Sequence, residues 1–182
     1  HLSRGVTVGT MLMDEALHFM RLGTFLERAD NTARLLDVKF HARSDGTDPF
    51  GVNLRLREQE QEVDFYYWSA ILRSVSGFEV YRKAYRNVIH PDKVAELLIL
   101  RPDMPRSLAA CMNGVVANLQ EVANQQSHET LRRAGRLQAD LQYGRIDEIL
   151  DAGLHAFLTQ FLGRVSDLGY AISRDFLVPM AA

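Results

Sequence analysis

Apolar residues recur at intervals of three and four along Phe19, Leu22, Leu26, Ala29, Ala33, Leu36 and Phe40. That interval keeps side chains on one face of a helix, so the pattern predicts an amphipathic helix over about 14–43. Asp14 and Glu15 stand at its start, where the helix dipole favours negative charge. The two alanines in mid-stripe predict a close helical neighbour. Turn formers crowd 44–51, and a second helix is expected over 59–87. It carries two apolar rows, Phe65, Trp68, Leu72, Val75 and Tyr67, Ile71, Phe78, Tyr81, Tyr85, as a helix packed on two sides would. Shorter helices are expected over 92–100, 106–125 and 127–142, and a last long one over 147–177. Its stripe is Leu150, Leu154, Phe157, Phe161, Leu168, Ile172 and Phe176. No segment alternates with period two. The expectation is an all-α fold: an elongated helical bundle with about three long helices and three shorter ones, one domain over 1–182.

Composition narrows the field without naming a function. Hydrophobic residues at 47% suffice for a sizeable core. A net charge of -2 supplies no basic field, so no nucleic-acid partner is expected. No run of about 18 apolar residues is present to span a bilayer, so no membrane partner is expected either. The lone Cys111 excludes an internal disulfide and fits a reducing, cytoplasmic setting; its apolar surroundings suggest an inert thiol. Arginine outnumbers lysine 18 to 3, which matters only if some guanidinium forks clamp carboxylates or phosphates.

Several polar residues border the apolar faces. On the first helix Asp30 and Asp37 border the stripe, and Glu27 and Arg34 lie a little further round on that flank. They form either a solvated ion-pair row or a polar seam between packed helices. On the second helix the core row continues in step into Glu79, Arg82 and Arg86, so the helix leaves the bundle there or forms a shielded cluster. Glu15-x-x-His18 has the spacing used in di-iron bundles, but that chemistry needs a second copy and the chain has none. No metal or other cofactor is expected. Asp151 and His155, four apart, share a helix face. The strip Arg132-Arg133-x-x-Arg136 reads as a solvated face.

The segment Phe25-Leu26-Glu27-Arg28-Ala29-Asp30-Asn31-Thr32-Ala33-Arg34 resembles the Glu-Arg motif of the bacterial alpha-E domain family. Trp68-x-x-x-Leu72-Arg73-Ser74, Arg101-Pro102-Asp103-Met104-Pro105-Arg106-Ser107 and Gly153-Leu154-His155-Ala156-Phe157-Leu158 extend the likeness in order. The resemblance implies an all-helical domain encoded beside, or fused to, an ATP-grasp ligase, which joins a carboxylate to an amine through an acyl phosphate. It also implies a longer family domain, of which this chain, opening on His1, would be the later half. The leading expectation is a non-catalytic helical partner of an amide-bond-forming ligase. Glu27, Arg28, Arg34, Glu79, Arg82, Arg106 and His155 would line its polar site or docking surface. An enzyme using His155 as general base and a structural oligomerisation module are the alternatives. An exposed apolar face on a partial bundle would favour self-association.

Overall fold

A computed structural model of the chain describes residues 14–44, 65–86 and 88–177. The segment 45–51, the expected helical start 59–64 and the side chain of Phe40 lie outside the described residues. Helix α1 spans Glu15–Ser44 and, at 30 residues, runs about 45 Å. Asp14 caps it, its carboxylate accepting from Leu17 N at 3.0 Å. A second helix, α2, covers 65–74, followed by α3 (Phe78–Tyr85), α4 (Pro91–Ile99) and α5 (Leu108–Glu121). The chain continues through α6 (His128–Gln142), α7 (Ile146–Ala152) and α8 (Leu154–Ile172), ending in a π-helical turn, Ser173–Leu177. No strand occurs among the described residues.

Four helices close a ring in which α1 packs on α5, α5 on α6, α6 on α8, and α8 on α1. The face of α1 turned inward holds Leu22, Ala29, Ala33 and Leu36, all buried as the stripe required. The close helical neighbours that α1 has are α5 and α8. Trp68, Ile71 and Leu72 join the same core from α2, and α4 contributes Leu97, Leu98 and Ile99. Each fully buried aliphatic or aromatic side chain of this kind contributes about 1.5–3 kcal/mol, so the core is the main source of stability.

Two of the three long helices expected are broken, each by local backbone chemistry. The second stops at Val75, where Ser76 adopts a left-handed φ of 54°. Gly77 N donates to Leu72 O at 2.6 Å and Ser76 N to Arg73 O at 3.0 Å, the paired bonds of a Schellman end. A Cβ on Gly77 would lie 3.0 Å from Met104 Cε, so the residue after the turn also has little room for a side chain. The last helix divides at Gly153, whose φ of 101° and ψ of 110° suit glycine alone. The break frees α7 to pack against α4 while α8 lies on α1 and α6.

Candidate functional site

The Glu27-Arg28 pair is the only Glu-Arg dipeptide in the chain. It stands on α1 directly before the buried Ala29, where the helix is closely packed. Arg28 reaches across to the chain entering α5, donating to Pro105 O at 3.1 Å, and its guanidinium lies 5.6 Å from the centre of the Phe25 ring. One turn on, Thr32 is 2% exposed and donates to Arg106 O at 3.0 Å. The 105–106 segment is thereby tied to α1 at two points. Ser107 fixes it from the other side, capping α5 by accepting from Ala110 N and donating to Arg101 O.

Between α1, the end of α2 and this segment opens a cleft of about 330 Å³. Glu27, Arg28 and Arg106 line it with Asn31, Thr32 and Ser74. Two guanidiniums thus share a cleft wall with one carboxylate. Glu27 and Arg106 make no ion pair among the described residues. The Arg106 charge reaches Cys111 beneath: burial pushes that thiol up to about 12, against a smaller opposing pull from Arg106. A buried thiol held neutral is a packing residue, as its apolar flanks implied.

The remaining candidates stand elsewhere. Arg34 forms a bidentate pair with Asp30, at 2.7 and 3.1 Å, with 64% of its own side chain exposed. That is a surface pair, not a seam. Glu79 and Arg82 face solvent on α3 at 3.8 Å, because the Schellman turn redirects the chain before the row could continue inward. His155 pairs not with Asp151 on its own chain segment but with Asp37 of α1, Nδ1 to Oδ1 at 2.5 Å. Here the flank of the α1 stripe does meet a packed helix, at the residue nearest the core row. His18 of the Glu-x-x-His spacing bonds Asn118 of α5 at 2.9 Å. Among the described residues no group of three or more His, Cys, Asp or Glu gathers as metal ligands do, and no helix is long and apolar enough to cross a membrane.

Glu27, Arg28 and Arg106 are therefore brought together, while Arg34, Glu79, Arg82 and His155 are not. Sequence reasoning passed over Asn31, Thr32 and Ser74, the neutral polar part of the wall. Thr32 carried a signal, since it falls inside the apolar arc beside Ala29, Ala33 and Leu36 and so needed a buried partner.

Fold and cleft together define an all-helical bundle domain whose distinguishing element is a Glu-Arg pair on its longest described helix. Residues 1–177 match the family model of Alpha-E, an alpha-helical domain with a conserved ER motif, and the chain belongs to that family. No curated protein and no solved structure matches it.

Proposed function

We propose that the chain is a non-catalytic helical partner domain in an ATP-grasp-type, amide-bond-forming system. In this reading the Glu27-Arg28-Arg106 cleft holds an amino-acid-like end group. The observation that carries the reading is the presence of opposite charges side by side in one open cleft at the chain's Glu-Arg dipeptide, in a family described by an ER motif. Guanidinium forks suit a carboxylate, and a neighbouring carboxylate suits an ammonium. Those two groups are the reactants of amide-bond formation. Arg28 is braced by Pro105 O and stacked near Phe25, so it is oriented before any ligand arrives, which reduces the ordering cost of binding.

An enzyme reading has one observation in its favour: Asp37 holds the His155 ring as a carboxylate holds a general base. Neither residue lines the cleft, so the dyad and the charged wall do not form one site.

The test has two arms. Size-exclusion chromatography of the chain with an ATP-grasp ligase from the same genome should give a joint peak. Amide chemical shifts on adding the dipeptide alanyl-glutamate should change around Glu27, Arg28 and Arg106, and Arg28→Ala should weaken the response about ten-fold. Separate elution together with unchanged shifts at millimolar dipeptide would sink the proposal.

A further inference from the structure

The arginines that read as a solvated strip have a second role open to them. Helical spacing puts Arg132, Arg133, Arg136 and Asp140 on one side of α6, and Gln160, Arg164 and Asp167 on the facing side of α8. Because α6 packs on α8, the two rows become opposite walls of a groove of about 510 Å³. That volume is in the range that small-molecule sites occupy. Four guanidiniums line it against two carboxylates.

Much of the donor capacity is unspent. Arg132 and Arg133 share Glu129 at 2.8 and 2.9 Å, and Arg164 donates to Asp140 at 2.6 Å. Arg136 has no ion-pair partner among the described residues. A guanidinium has five N–H donors, so even the paired arginines keep some for a ligand.

Along its length the groove keeps its guanidiniums and gains an aromatic face. Beyond Arg133 and Asp167 it continues into a second hollow of about 470 Å³ that adds Tyr170 and Arg174. Arg174 is paired with Asp175 at 2.8 Å, whereas the Tyr170 ring is 75% exposed. Asp167 has no ion-pair partner among the described residues. It would repel a second anionic group but accept from a hydroxyl. An acidic peptide would bring carboxylates against Asp167. A molecule with an oxyanion at one end and a neutral, hydroxylated ring system at the other meets Arg136 and Arg164, then Asp167 as an acceptor beside the Glu129-paired Arg133, then the exposed Tyr170 ring, where the one further guanidinium, Arg174, is held by Asp175.

From this order of groups we infer that the α6–α8 groove binds a phosphorylated ligand of the nucleotide class. Its phosphates lie between Arg136 and Arg164, and its ring end lies towards Asp167 and Tyr170. This site is separate from the Glu27 cleft and does not depend on how that cleft is read.

Calorimetric titration of the whole chain at low salt, with ADP, inorganic pyrophosphate and hexaglutamate as probes, tests it. The expected order of affinity is ADP, then pyrophosphate, then the peptide, with all three weakening as salt rises. Arg136→Ala and Arg164→Ala should each weaken ADP about ten-fold, and the exposed control Lys83→Ala should leave it unchanged. Arg136→Lys keeps the charge and loses the fork, so a weakened Arg136→Lys with an unaltered helical circular dichroism spectrum separates recognition from misfolding. Tyr170→Ala should weaken ADP and spare pyrophosphate. No saturable ADP binding at millimolar concentration, or full affinity in both arginine-to-alanine variants, overturns the site. Hexaglutamate binding as tightly as ADP overturns the phosphate assignment, and equal affinity for ADP and pyrophosphate overturns the ring assignment.

Discussion

Gly114 on α5 faces Phe25 on α1 so closely that a Cβ there would stand 2.6 Å from two ring atoms and 2.7 Å from a third. Ordinary carbon contacts are about 3.5–4.0 Å, so Gly114→Ala forces the ring back by about 1 Å. Two effects oppose each other. Alanine in a helix interior is favoured over glycine by about 1 kcal/mol, while overpacking a fitted contact costs about 1–3 kcal/mol. The expected net result is a loss of about 0–2 kcal/mol, because Phe25 is only half-buried and can move part of the way. With Phe25→Ala as background the clash is gone, and the same substitution should stabilise by about 1 kcal/mol. Urea unfolding of the wild type, both single variants and the double variant gives the coupling directly, with about 1–3 kcal/mol expected. Displacing the ring also disturbs Arg28, whose guanidinium lies beside it, so dipeptide shifts should weaken in Gly114→Ala alone. If Gly114→Ala stabilises the wild type and the Phe25→Ala variant equally, the close approach of α1 and α5 described above is wrong.

Tyr81 is buried, and its hydroxyl donates to Val88 O and accepts from His90 N, holding the connection from α3 to α4. Tyr81→Phe should therefore cost about 1–3 kcal/mol in denaturant unfolding, and a neutral result would mean that water replaces both bonds. Hydrogen bonds from Arg132 and then Arg133 lower the Glu129 carboxyl to about 2 from its ordinary 4.5. Its folded value is depressed, so its contribution to stability is present above pH 4.5 and fades as pH falls towards 2. Carboxyl carbon chemical shifts followed against pH should show a midpoint far below 4.5, moving up in high salt; an ordinary midpoint would break the Glu129 fork. Arg34→Ala should produce a small loss of stability that shrinks with added salt, since the Asp30 pair is exposed; a large, salt-independent loss would restore the seam.

Helix α1 was legible because its stripe is unbroken, and its paired alanines implied a close neighbour without saying which helix supplies it. Helices α4 and α6 were found within a residue or two, each opening beside a recognisable signal, Pro91 and Ser127. The breaks at Ser76 and Gly153 were not legible. At Gly153 the stripe stays apolar through the turn, and at Ser76 the row of Tyr67 and Ile71 runs on into Phe78, Tyr81 and Tyr85 although the Trp68 row turns ionic, so periodicity does not register the change of backbone direction. The partners of the polar residues were hidden for a different reason. Asp30 with Arg34 follows from spacing, whereas His155 finds Asp37 across 118 residues and Arg28 finds Pro105 across 77. No helical wheel contains such a pair. The three candidates that do converge come from two segments whose approach is fixed by packing of α1 on α5.

The manner in which α1 holds the 105–106 segment has a consequence for how that segment can vary. Arg28 and Thr32 both bond main-chain carbonyls, and every amino acid supplies one. The fastening is blind to side-chain identity at 105 and 106 and sensitive only to the route the backbone takes. Side chains there are free to diversify, and with them the chemistry presented to the cleft at position 106, provided that the path is kept. What protects the path is Ser107, buried and bonded on both sides, one residue beyond the fastening. Substitution of Ser107 would therefore disturb recognition in the cleft without touching a residue that lines it.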